Sequence, residues 1–392
     1  MFKDVCSGWS GQAKSAGPVK PRIAAIAARS RPTSVKAAMT SGTASRTRLS
    51  PGEADTQKSA LRSILAAHQA PVLRRSLGQI ASTFLPFFGL IAAMYLLRNI
   101  SPWLSLALTV PAAGLIVRIF IIQHDCGHGA YFRSRAANEW LGRFCSLITM
   151  TPFANWRRQH ANHHAVWNNL DRRSVGADIY STCLTVVEYR ALSALGRWRH
   201  RVVRHPLIAQ LLLPPLVFLL LYRIPFDTPA GWRRERASVL LTDIGLVGLF
   251  TGLVLLLGVG PVAEVQLPTM AVAAILGVWI FSVQHRFEDA VWARQTEWSA
   301  TDAALLGSSH LRLPRILQWF SGNIGFHHIH HLMPRVPNYR LEDCHRACAA
   351  VAPAAPSLTL LQALRAPTYA LWDEDRARMV RFADIKPSSR TF

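Results

Sequence analysis

Acidic residues are scarce in this chain: 22 Asp and Glu stand against 44 Lys and Arg, a formal net charge of +22. Cysteine is scarce as well. The six cysteines, Cys6, Cys126, Cys145, Cys183, Cys344 and Cys348, contain no CxxC pair and no framework spacing. That excludes a disulfide scaffold and points to reduced thiols, to which no catalytic role is assigned. No GxGxxG follows a strand-like run, so no nicotinamide or flavin domain is resident, and no HExxH sets a carboxylate base beside a zinc ion. No recognition motif accompanies the basic charge, whose residues alternate with apolar stretches, and nucleic acid is therefore not an expected partner.

What the chain has in abundance is apolar sequence. Half of its 392 residues are hydrophobic and its mean hydropathy is +0.17, ordinary values for a multi-span membrane protein. The first 75 residues differ in kind: rich in Ser, Ala, Arg and Lys and without a sustained apolar period, they are expected to form a basic tail without fixed structure. Their composition is shared by transit peptides and by ordinary bacterial tails and assigns no compartment.

A helix crosses a hydrocarbon layer with about 20 mostly apolar residues. Four segments qualify, at 80–97, 103–122, 237–258 and 265–283. A fifth apolar stretch, 207–222, is shorter and carries Pro214 and Pro215 in its middle, which predicts an interfacial or re-entrant segment. The loops 98–102 and 260–264 are short enough to make two hairpins, and Arg98 is their only basic residue. Nearly all other Lys and Arg fall in the tail, in 133–236 or after His285, so the charge bias places these regions together on the cytoplasmic face. The expected architecture is an all-α integral membrane protein: four transmembrane helices in two hairpins, the short apolar segment, and a cytoplasmic helical cap. Every histidine-rich segment then lies on one side of the bilayer.

Fifteen histidines occur, and nine form a pattern. His124 and His128 in HDCGH are four apart, immediately after the second span. His160, His163 and His164 in HANHH, and His327, His330 and His331 in HHIHH, repeat the logic at spacings of three and four. Such spacings put imidazoles on one helical face, where they can converge on a metal ion. His285 is the ninth, where the fourth span leaves the membrane. His328 is off the ligand face of its cluster, and His68, His200, His205, His310 and His345 read as ordinary interfacial or structural histidines. Eight or nine imidazoles exceed what one metal takes, so two metals are implied, and the absence of a hydrolytic motif favours a redox site.

With these residues in view, the sequence resembles the membrane fatty acid desaturases, and among them the bacterial and cyanobacterial acyl-lipid enzymes of the delta-12 or omega-6 type. The segments that carry the resemblance are HDCGH, TPFANWRRQHANHH, QHRFE and LPRILQWFSGNIGFHHIHHLMPRVPNY. The likeness covers about residues 76–375, leaving a C-terminal tail at 376–392. It implies a non-haem di-iron site ligated by His124, His128, His160, His163, His164, His285, His327, His330 and His331. It also implies dioxygen as co-substrate and a lipid-linked fatty acyl chain that receives a cis double bond. A ligating imidazole usually donates its other N–H to a carboxylate or carbonyl, and Asp125, Asp178, Glu288 and Asn323 are the candidates near the clusters.

No HPGG motif marks a fused cytochrome b5 domain, so the electrons must come from a separate donor: ferredoxin in the bacterial branch of this resemblance, cytochrome b5 as the alternative. Arg197, Arg199, Arg201 and Arg204, with Arg233 and Arg234, could receive an acidic donor, or equally anionic lipid headgroups. Membrane di-iron hydroxylases or ketolases acting on alkanes, sterols or carotenoids are the nearest competing reading. A transporter is disfavoured because only Arg118 and Asp243 fall inside the spans. The expected setting is a bacterial inner membrane.

Overall fold

The computed structural model describes residues 51–173, 180–226 and 228–385. Four of its helices are long and apolar enough to cross a membrane. After α1 (Pro51–His68) come the first two, α2 (Leu73–Leu97) and α3 (Pro102–Gly127). Pro102 at the first helical position of α3 suits the proline ring, since no backbone donor is needed there. The amphipathic α4 (Arg135–Thr149) and the largely polar α5 (Phe153–Val166) follow. Ser134 caps α4 by accepting from the Ala137 N–H, and Met150 ends it in a left-handed conformation at φ 53°.

The proline-bearing apolar segment continues from α6 (Ala194–Arg204) as the helical stretch Ile208–Arg223, bent from it by 55°. Pro214 and Pro215 fall early in α7 (Leu213–Leu219), within that stretch. The second hairpin is α8 (Arg233–Leu257) and α9 (Val259–His285), turned at Gly258 with φ 86°, a backbone conformation that favours glycine. The third histidine cluster occupies the short α10 (His327–Leu332), followed by α11 (Leu341–Cys348).

The spans are not equivalent. Of their apolar stretches, 61% of α3 and 39% of α9 are buried within the protein, against 22% of α2 and 17% of α8. α3 and α9 therefore form the inner pair, and they carry His124 and His285 at their ends. α2 and α8 present Leu85, Leu96, Leu241, Ile244, Leu255 and Leu256 outward, as lipid-facing surfaces require.

Three differences from the sequence expectation stand out. The described residues are mostly helical but include two small sheets. β1 (Leu184–Thr185) pairs in parallel with β4 (Leu371–Asp373), which pairs antiparallel with β5 (Arg378–Val380), while β2 (His310–Leu311) pairs in parallel with β3 (Ser357–Leu358). Strands of two or three residues show no readable alternation. Secondly, helix α1 lies inside the stretch expected to have no fixed structure. Its Leu61 and Leu65 are buried in one cluster with Cys344 and Cys348 of α11, a long-range contact that composition does not reveal. Thirdly, β5 falls within the stretch assigned to a C-terminal tail, because pairing with β4 fixes it.

Candidate metal centre

The last turn of α3 carries His124, and His128 caps the helix. α5 presents His160, His163 and His164, α10 presents His327, His330 and His331, and α9 ends on His285. The fold brings these nine imidazoles into two adjoining groups. In the first, the Nε2 atoms form a chain of close approaches: His124 to His330 at 3.0 Å, His330 to His164 at 3.0 Å and His164 to His160 at 3.1 Å. The ring of His128 lies 4.7–5.0 Å from those of His124, His160, His164 and His330. In the second group, His327 Nε2 is 3.0 Å from His285 Nε2 and 3.1 Å from His331 Nε2. The ligand atoms of His163, His285 and His331 all lie within 4.8 Å of one another. The His164 and His331 rings, with centroids 4.3 Å apart, join the two groups.

These distances fit metal ions better than hydrogen bonds. An imidazole nitrogen either carries a proton or offers a lone pair, yet His330 Nε2 is equally close to two other Nε2 atoms. Nitrogens about 2.1 Å from one metal and at right angles to each other are roughly 3.0 Å apart, the spacing found here. His128 Nε2 is buried with no hydrogen-bond partner among the described residues, an unfavourable state unless a metal takes its lone pair. Burial, helped by the neighbouring imidazoles, holds His128, His160, His164, His327, His330 and His331 well below the ordinary histidine range. The rings are then neutral, the form that ligates. A donor set made only of imidazole suits iron, zinc or copper rather than calcium or magnesium.

Of the residues expected to brace these rings, Asp125 lies against His124, with its Oδ1 3.2 Å from His124 Nδ1. Asp178 lies outside the described residues. Glu288 takes a different place, accepting from Tyr369 Oη at 2.6 Å and from Arg378 at 3.3 Å, with no histidine among its partners in the described residues. It is three residues past His285, but the helix has ended at that histidine and the chain has turned away. Asn323 likewise makes no hydrogen bond to a ligand ring among the described residues; its Nδ2 donates to the Asn338 carbonyl at 3.2 Å. His328 belongs to a separate set with His345, at 2.9 Å, and His310. Two tryptophans that the sequence did not single out pack on the centre, Trp156 stacked on His160 at 4.6 Å and Trp167 against His285 at 4.0 Å.

Of the six arginines expected to meet an electron donor, Arg204 is buried and lies off the surface a docking protein would meet. Arg197 donates to the Leu192 carbonyl, Arg201 to Tyr189 Oη and Arg234 to Glu139. Arg199 and Arg233 are exposed.

An apolar cavity of about 590 Å³ adjoins the centre. His124, His160, His163 and His327 form part of its wall, so it touches both histidine groups. From there it runs between the inner spans, past Phe120 of α3 and Gly277 of α9, and reaches Met270. That residue is roughly 22 Å of helix rise from His285. Val217, Phe218 and Tyr222 of the bent apolar segment close one side.

The fatty acid desaturase family model matches residues 101–359. A fatty acid desaturase of Bacillus subtilis is 42% identical over 322 residues, 82% of this chain and 90% of that protein. More distantly, a chloroplastic omega-3 fatty acid desaturase of Glycine max is 27% identical, over 71% of this chain and 61% of its own. An sn-1 oleoyl-lipid 12-desaturase of Synechocystis is 25% identical, over 66% and 72%. A multi-pass membrane protein with paired histidine groups beside an apolar cavity, matched over most of its length, the chain belongs to the fatty acid desaturase family of oxidoreductases.

Proposed function

We propose that the chain introduces a cis double bond into a lipid-linked acyl chain at the delta-12 (omega-6) position. A pair of iron ions would be held by the nine histidines on the cytoplasmic side of a bacterial inner membrane. The observation that carries the reading is the apolar cavity whose wall includes histidines of both groups. Methylene hydrogens are not acidic, so no side chain can remove them as a base. When bound, the iron pair supplies the redox capacity to reduce dioxygen with two donated electrons while the substrate loses two hydrogens.

The protein's own residues do the rest. The cavity removes the acyl chain from water and lays it along the inner spans, which fixes the methylenes presented to the histidine groups. Trp156, stacked on His160, and Trp167, packed at a tilt against His285, restrain those two rings. The delta-12 assignment draws support from the sequence flanking the histidine clusters and from the distant likeness to the Synechocystis enzyme.

The charge bias supports a cytoplasmic face for the site. Ferredoxin is proposed as the donor, meeting the exposed Arg199 and Arg233, with cytochrome b5 as the alternative. The test is expression in a host lacking desaturases, followed by location of the new double bond and of the lipid that carries it. A bond at delta-12 on a glycerolipid supports the proposal; a bond elsewhere corrects the position. Gain of an oxygen atom in place of loss of two hydrogens would contradict the reaction.

A further inference from the structure

The MPRVPNY stretch after the third histidine cluster supplies no ligand, yet its Asn338 is fully buried. The Asn338 backbone N–H donates to Asp125 Oδ2 at 2.7 Å, and its side-chain Nδ2 donates to the same oxygen at 2.8 Å. Gln79 of the first span completes an amide pair. Its Nε2 donates to Asn338 Oδ1 at 2.7 Å, and its Oε1 accepts from Asn338 Nδ2 at 3.1 Å. The side chain of Asn338 thus uses both of its protons and its oxygen.

The arrangement bears on His124. With Oδ2 of Asp125 occupied by two N–H donors, Oδ1 faces His124 Nδ1 at 3.2 Å. An acceptor there keeps the imidazole proton on Nδ1 and turns the Nε2 lone pair toward His330, into the first group. The second group is built differently: Nδ1 of His285 and Nδ1 of His327 are buried with no hydrogen-bond partner among the described residues. One metal position has a braced, carboxylate-polarised ligand, while two ligands of the other have no such brace.

We infer that Asn338 and Gln79 are positioning residues that pin Asp125 against His124, making the first histidine group the tighter metal position and the one that loads first. The inference rests on the metal-binding reading above and goes beyond it by making the two positions unequal.

The experiment titrates Co²⁺ into the full-length chain in nanodiscs after its metals have been removed with a chelator. Visible absorption reports coordination and elemental analysis counts the bound ions. The wild-type chain takes up two ions in two steps, the first tighter. Asn338→Ala weakens the first step by about ten- to a hundredfold and alters its spectrum, while the second step keeps its affinity. Gln79→Leu acts in the same direction and covers the case in which Asn338→Ala does not fold. In an Asp125→Asn background, Asn338→Ala adds no further loss, because its effect passes through that carboxylate. The inference is overturned by an unchanged first step, by equal weakening of both steps, or by a full Asn338→Ala effect without Asp125. A wild-type chain that takes up no Co²⁺ would instead overturn the metal-binding reading itself.

Discussion

His164 Nε2 lies 3.0 Å from His330 Nε2, although 166 residues separate the two in sequence. That contact joins α5 to α10, and His330 is also 3.0 Å from His124 at the end of α3. Three elements therefore share one histidine, and its loss opens the first group on every side. His330→Ala should lower bound iron from two ions per chain toward one and bring desaturation below detection. His310→Ala, which removes a ring stacked on Phe326 outside the nine, should keep both ions. Elemental analysis of the purified variants checks the pair.

Gly277 lines the cavity, and a Cβ placed there would meet no atom within 4 Å. Packing does not require glycine, whose place in a helix interior costs about 1 kcal/mol relative to Ala. Gly277→Leu should fill the cavity without lowering the melting temperature, cut turnover of long acyl chains and favour shorter ones. Product profiles across a chain-length series measure this. Gly142 provides the contrast, because a Cβ there would sit 2.4 Å from the Phe153 ring. Gly142→Ala should destabilise the fold by roughly 1–3 kcal/mol through overpacking.

Asp243 lies within span α8 and accepts from Arg223 at 2.7 Å, and Arg223 also donates to the Met150 carbonyl. The pair ties the bent apolar segment to the span. Asp243→Leu leaves a cation without its partner in a poorly hydrated setting and should destabilise the protein by a few kcal/mol, less than the ~3–5 kcal/mol of a fully buried pair. Replacing both residues with apolar ones should recover part of that loss. Thermal denaturation in nanodiscs compares the three variants.

The electron-donor surface makes a kinetic prediction. Arg199→Glu with Arg233→Glu should raise the Michaelis constant for ferredoxin several-fold, with a smaller effect at high salt, and leave kcat with saturating donor near wild type. Contact with lipid headgroups in place of the donor would leave that constant unchanged. Arg204→Glu should instead lower folded yield, because Arg204 is buried.

The legible parts of this protein are those written locally. Apolar runs of span length marked α2, α3, α8 and α9, and face-matched spacing marked the three histidine clusters. Each depends on residues no more than a few turns apart. Sequence proximity served less well for the groups around the ligands. Asp125 adjoins His124 and lies 3.2 Å from its ring nitrogen, whereas Glu288 is only three residues from His285 and bonds elsewhere, since the helix ends between them. Asn338 and Gln79 were hidden because they come together across 259 residues; the one local signal was the PNY stretch after the third cluster. Helix α1 escaped notice for the same reason, its buried leucines being matched only by α11.

The central claim is that nine histidines hold two metal ions in two all-nitrogen groups beside one acyl cavity. Iron X-ray absorption combined with elemental analysis of the full-length protein tests it most directly. The account predicts two irons per chain, each surrounded by imidazole nitrogens at about 2.1 Å, with His330→Ala removing one of them. A single iron per chain, or two that persist unchanged in His330→Ala, would contradict it.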